Sequence, residues 1–168
     1  RGPSPLSERL LPADAPETKL LTEARDWLLE QMKDDEAPAK PGKVRGAWWR
    51  EFDAHPFTTD SLYGGVAGTV LSLMTLAETT GDARSADAAR RGVRHLIDAA
   101  VESPGGIAWD VAWDDRQEKV HHTRYQGLYT GAAGTASVLL TYGDAFDLSA
   151  TASSGLPAAA WVASGCSG

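Results

Sequence analysis

Leu62–Met74 reads LYGGVAGTVLSLM, and Leu128–Leu140, 66 positions further on, reads LYTGAAGTASVLL. At that offset Leu62/Leu128, Tyr63/Tyr129, Gly65/Gly131, Ala67/Ala133, Gly68/Gly134, Thr69/Thr135 and Leu73/Leu139 are identical. A chain that carries one unit twice folds as a repeat, each copy burying its apolar face against its neighbour. The unit itself specifies a helix, because Val66, Val70, Leu73 and Ala77 form a stripe of helical period. Gly81 and Gly143 stand where a glycine ends such a helix. Gly65 and Gly68 lie three apart, as do Gly131 and Gly134, which places each pair on one helix face. Glycine costs a helix about 1 kcal/mol against alanine. The pairs therefore mark a close backbone approach, a packing contact or a ligand.

The flanks extend this pattern. The first repeat helix is expected over 61–80, capped by Asp60 or Ser61. Asp82 caps a second helix over 83–101, and the glycine turn between the two predicts an antiparallel αα-hairpin. Ala86, Ala89, Val93, Leu96, Ile97 and Ala100 face its core. Arg84, Asp87, Arg91, Arg94, His95 and Asp98 are expected in water. Upstream, Asp14 and Glu17 read as the start of a helix over 15–33, with Leu20, Ala24, Trp27, Leu28 and Met32 as its apolar face. Residues 34–44 read as a linker. Pro104-Gly105-Gly106 breaks the second helix, and 107–113 and 120–125 are expected to pair as a short extended ribbon between the repeats. From Leu148 to Gly168 there is no charged residue, so no amphipathic helix is expected there. The chain divides into an arm, first helix and linker at 1–56, the repeats at 57–146, and a low-complexity tail at 147–168 that reads as non-native or disordered.

Charge and composition narrow the function. A net charge of −7 argues against a nucleic-acid binder, which needs a basic face. No apolar run approaches the ~20 residues that span a bilayer, so a soluble, cytoplasmic protein is expected. The single cysteine, Cys166, allows no internal disulfide. The start at Arg1 and the unusual tail lead to the expectation of a fragment, whose open repeat edge at Val138–Leu140 would promote self-association.

An aromatic residue followed by Gly-x-x-Gly opening an apolar helix, as in SLYGGVAGTVLSLMTLAETTGD and YQGLYTGAAGTASVLL, resembles the lanthionine synthetase C-like (LanC-like) family. GIAWDVAWDD resembles that family's segment between repeats, and the resemblance covers roughly 57–146. It implies an all-α fold, an α/α toroid with an inner ring of helices inside an outer one. It also implies thioether formation by addition of a peptide cysteine thiolate to a dehydrated Ser or Thr. The family's zinc is held by two Cys and one His in later repeats, and no residue here matches those ligands, so no metal site or cofactor is assigned to this chain. Related toroids imply one alternative, a carbohydrate-active or carbohydrate-binding ring; the repeat architecture by itself leaves another, a non-catalytic helical-repeat interaction domain.

The residues expected at the substrate mouth, for a peptide or a sugar, are Tyr63, Gly65, Gly68, Trp109, Trp113, Tyr129, Gly131 and Gly134. Tryptophans in such places either line a groove or plug a helical core. His121 or His122, with Asp110 or Asp114, is the candidate acid–base pair; the same residues also read as an ordinary solvated turn. Adjacent residues on a strand face opposite ways, so the two histidines do not readily share one ion.

Overall fold

A computed structural model describes residues 12, 14–35, 45–49, 60–103, 106–114 and 120–142. The arm at 1–11, His55, Asp115, the 147–168 tail and Cys166 lie outside them. In chain order the elements are α1 (Pro16–Gln31), β1 (Met32–Asp34), β2 (Ala47–Trp49), α2 (Val66–Thr80), α3 (Ala83–Asp98), β3 (Val101–Ser103), β4 (Gly106–Ala108), β5 (Val111–Asp114), β6 (Val120–Thr123) and α4 (Ala132–Tyr142). The core is helical, with three small antiparallel ribbons, β1–β2, β3–β4 and β5–β6. Among the described residues no helix is long and apolar enough to cross a membrane.

The α2–α3 hairpin forms as the sequence predicts. Gly81 ends α2 in the left-handed region at φ 72°, its N–H donating to the Ala77 carbonyl. The next residue, Asp82, begins α3 by accepting from the Ser85 N–H and the Ser85 hydroxyl, both at 2.8 Å. Burial raises the Asp82 carboxyl, but the Ser85 bonds, Arg25 and Arg84 outweigh it and hold it below the usual range. The hairpin buries Val66, Val70, Leu73 and Leu76 against Ala88, Ala89, Val93 and Leu96. Gly92 lets α3 come close, since a Cβ there would meet a Val70 methyl at 2.5 Å and the Trp49 ring at 3.1 Å.

Helix α1 turns inward a face shifted from the expected one: Leu28 and Met32 pack as expected, while Leu20, Ala24 and Trp27 do not. Leu21, Leu28, Leu29 and Met32 pack on the core, whereas Leu20 and Trp27 are 67% and 60% exposed. The sequence carries two adjacent apolar stripes on this helix, and two polar contacts choose between them. Arg25 reaches Asp82 at 3.3 Å, and the Trp49 indole N–H donates to the Leu28 carbonyl at 2.8 Å. Asp14 does not cap α1. Ala15 occupies that position with no side-chain bond, and Pro16 at the first helical position loses nothing by lacking an N–H.

Part of the 34–44 linker is structured. Residues 32–34 pair with 47–49, Met32 opposite Trp49. Asp34 is bonded to Arg91 of α3, whose hydrogen bond and then charge hold its carboxyl below the usual range. Arg91 was expected in water and is instead half-buried against this ribbon. The β5–β6 ribbon matches expectation, with Val111 opposite Thr123. The tryptophans at Trp49 and Trp109 plug the core, each donating its indole N–H to a helix carbonyl, Leu28 and Leu96 respectively.

Helix α4 runs parallel to α2. At one end the Tyr63 N–H donates to the Tyr129 carbonyl at 2.8 Å; at the other Tyr142 is hydrogen-bonded to Thr75. Advancing twelve or thirteen residues along both chains thus leads from one contact to the other. Val138 and Leu139, expected on an open edge, instead join the common core with Tyr142 because they pack against α2; of that edge Leu140 stays half exposed.

Candidate functional site

Each repeat helix is preceded by a loop that folds back onto it, and the glycines permit this. Helix α2 starts at Val66, five residues later than expected, because 62–64 form turns and Gly65 is the N-cap. Gly65 and Gly68 therefore do not share a helix face. A Cβ on Gly68 would meet the Leu62 carbonyl oxygen at 2.2 Å, and one on Gly134 would meet the Leu128 carbonyl oxygen at 1.8 Å. The close approach the spacing implied is thus to each helix's own lead-in loop. Gly134 also admits the neighbouring repeat, for its Cβ would meet the Leu62 Cβ at 2.9 Å.

The two lead-in loops lie side by side. Besides the Tyr63–Tyr129 backbone bond, the buried Thr135 hydroxyl donates to the Asp60 carbonyl at 2.7 Å. Both tyrosine rings are left outward, 78% exposed at Tyr63 and 65% at Tyr129. They border a groove of about 740 Å³ whose other walls are Trp27, Leu28 and Gln31 of α1 and Gly64, Gly65, Gly68, Thr69 and Ser72 of the first repeat. None of the described residues lining it is charged. The groove offers aromatic faces, hydroxyls and bare backbone, a surface for holding a ligand and not for moving protons.

Behind the first loop sits a charged cluster that the sequence pattern missed. His95 was expected in water; it is largely buried, with Nδ1 2.7 Å from Asp35 Oδ1 and Nε2 2.9 Å from Asp60 Oδ1. A neutral imidazole has one N–H, so serving two carboxylates requires the doubly protonated ring. Burial alone would lower the His95 pKa, but the bonds and charges of Asp60 and then Asp35 more than reverse this and raise it above 6.5. The cluster ties α3 to the end of β1 and to the residue whose carbonyl receives Thr135. Asp60 is therefore an anchor of the loop and not the cap of α2. The neglected signal was spacing: His95 lies seven and three residues after Ala88 and Gly92, on the buried face of α3.

The remaining expected residues separate. Tyr63, Gly65, Gly68 and Tyr129 line the groove, and Gly131 and Gly134 are buried behind the second loop. Trp109 is 3% exposed and belongs to the core. Asp110 pairs with Arg124 at 2.7 Å. His121 and His122 lie on β6 opposite Trp113 and Ala112, and the side chains of His121, His122, Trp113 and Asp114 are outside the described part of the structure. Trp27 and Leu28, expected on the core face of the first helix, and Gln31, which the sequence did not single out, also line the groove.

The described residues do not fit a zinc site. No three His, Cys, Asp or Glu side chains among them gather to hold a metal ion, and both His95 nitrogens already face carboxylates. No protein-family model, curated protein or solved structure matches this chain.

Proposed function

We propose that this chain is an arc of a LanC-like α/α toroid, and that its part in thioether ring formation is to hold the peptide at the mouth of the ring. The observation that carries this reading is the pairing of the two repeat loops. The Tyr63–Tyr129 backbone bond sets two exposed tyrosine rings together at the same end of two parallel helices, beside an uncharged groove. A dehydrated peptide is a neutral, extended, largely apolar ligand at the reacting residues, and aromatic faces with accessible backbone suit it. The zinc and thiolate activation that the resemblance implies have no matching two-Cys, one-His set in this sequence and form no part of the role proposed here. A glycosidase reading is disfavoured because the described residues of the groove include none of the paired carboxylates that such chemistry needs.

The test is binding. A fluorescent peptide containing dehydroalanine and cysteine is titrated against the purified chain, and anisotropy is read. Replacing both Tyr63 and Tyr129 by alanine should weaken binding about tenfold or more, a hot-spot-sized loss. Peptide binding that ignores the double substitution, or no peptide binding at all, overturns the proposal. Oligosaccharide binding in place of peptide binding would assign the groove to a carbohydrate toroid.

A further inference from the structure

The contact between the two repeats has a front and a back, and each repeat owns both. In the contact that exists, the first repeat supplies the front: the Leu62 side chain, the Tyr63 N–H and the Asp60 carbonyl. The second supplies the back: bare Gly134, the Tyr129 carbonyl and the Thr135 hydroxyl. Moving each residue by the repeat offset locates the other two faces. The second repeat's front is Leu128, the Tyr129 N–H and the Gln126 carbonyl; the first repeat's back is Gly68, the Tyr63 carbonyl and the Thr69 hydroxyl.

Both faces are uncovered among the described residues. Leu128 is 48% exposed where Leu62 packs on the core, and Leu140 is 50% exposed where its counterpart Met74 is 7% exposed. Among the described residues the Tyr129 N–H and the Tyr63 carbonyl have no hydrogen-bond partner. The Thr69 hydroxyl turns back to the Gly65 carbonyl at 3.3 Å, whereas its counterpart Thr135 reaches across to Asp60 at 2.7 Å. Gly68, Thr69 and Ser72 form a wall of the 740 Å³ groove, so the back face opens into that groove and not onto another described residue's side chain.

We propose that the occupant of this wall is the Leu128 face of a second copy of this chain. The new contact continues the one already present between the repeats. Leu128 sits over Gly68, the Tyr129 N–H donates to the Tyr63 carbonyl, and the Thr69 hydroxyl turns to the Gln126 carbonyl. Leu140 is covered in the same step. Because front meets back, the association is head-to-tail, and it extends beyond a dimer until a ring closes. It leaves the tyrosine rings free but covers the Gly68, Thr69 and Ser72 wall of the groove that the proposed peptide also uses, so the two occupants compete there and self-association is read without peptide.

The test separates the two faces. Leu128→Glu with Leu140→Glu blocks the front, and Ser72→Arg blocks the back; circular dichroism confirms that each variant keeps its helices. Light scattering behind gel filtration should show the native chain growing in mass with concentration and each blocked variant monomeric. Mixed in equal amounts, the two variants should give a species of twice the monomer mass and nothing larger, because only one intact front and one intact back remain. A native chain that is monomeric at all concentrations overturns the proposal, as does a blocked variant that still dimerises or a mixture that stays monomeric.

Discussion

Leu62 and Leu128 hold the same place in their repeats, yet one is packed and the other is half exposed. The same is true of Met74 and Leu140. The two loops that carry the leucines are also anchored differently. Asp60 before the first is held by His95, which also grips Asp35. Its counterpart before the second is Gln126, an exposed residue. Sequence identity at seven of the thirteen positions therefore gives one local conformation in two different environments. The loop-on-helix geometry is written into the unit, since Gly68 and Gly134 each sit under the carbonyl of the leucine six residues earlier. What covers the unit is a property of the neighbours.

The largest effect should come from removing the anchor that only the first repeat has. His95→Leu would leave Asp35 and Asp60 facing each other without the positive charge between them. Breaking a mostly buried charge cluster from one side costs about 3 kcal/mol or more. Urea unfolding measures it, and hydrogen exchange at the Tyr63 amide should rise with it. A loss under about 1 kcal/mol would show that the two loops are held equally well without the cluster.

Next is the glycine on which the repeats meet. Gly134→Ala places a methyl against both the Leu128 carbonyl and the Leu62 side chain, whereas Gly68→Ala meets only the Leu62 backbone. We expect losses of about 2–3 kcal/mol for the first and about 1–2 kcal/mol for the second in thermal unfolding. In open helix the same change would gain about 1 kcal/mol. Equal losses at the two sites would mean that the contact between repeats adds nothing to the clash within each.

These residues also show what was legible from the sequence. The αα-hairpin, its Gly81 stop, the Asp82 cap and the parallel pairing of the repeats follow from short-range pattern, because period and capping act over a few residues. The inward face of α1 followed only in part: Leu28 and Met32 were expected, but Leu21 and Leu29 pack in place of Leu20 and Trp27, because two stripes competed and the choice was made by Arg25 and Trp49 reaching distant partners. The groove was half legible. Its tyrosines and glycines stand out in the repeat, while Trp27 and Gln31 arrive from a helix elsewhere in the chain. His95 was misplaced for a related reason. Arginines beside it suggested a wet face, and the two aspartates that bury it lie 60 and 35 residues away.

A smaller effect than deleting His95 should come from removing its second proton, because a neutral ring still donates one bond. Its pKa is raised in the fold, so the folded state binds the proton more tightly than the unfolded state does. The cluster's stabilisation is therefore complete below pH 6.5 and is lost as pH rises through the raised value. Tyr142, also raised, adds a loss only above its ordinary 10.0. Asp34 and Asp82 act at the other limb, their contribution vanishing as pH falls below 3.8 through their lowered values. Denaturant midpoints across neutral pH should slope downward in the native chain and flatten in His95→Gln. An equal slope in both would place the titrating group elsewhere.

The smallest effect tests the comparison most directly, because it should be nearly absent. Leu62→Ala removes a side chain packed between the repeats, and the loss of part of its burial should cost about 1–2 kcal/mol. Leu128→Ala removes the same side chain from a half-exposed site, and in dilute solution its cost should stay within about 0.5 kcal/mol. The contrast depends on concentration. If the Leu128 face docks on a second copy, the two substitutions should converge as protein concentration rises, because Leu128 is then buried as Leu62 is. If it stays open, the difference between them should hold at every concentration. A large cost for Leu128→Ala in dilute solution would instead mean that the chain itself covers the second repeat, and that the two environments are more alike than the described residues show.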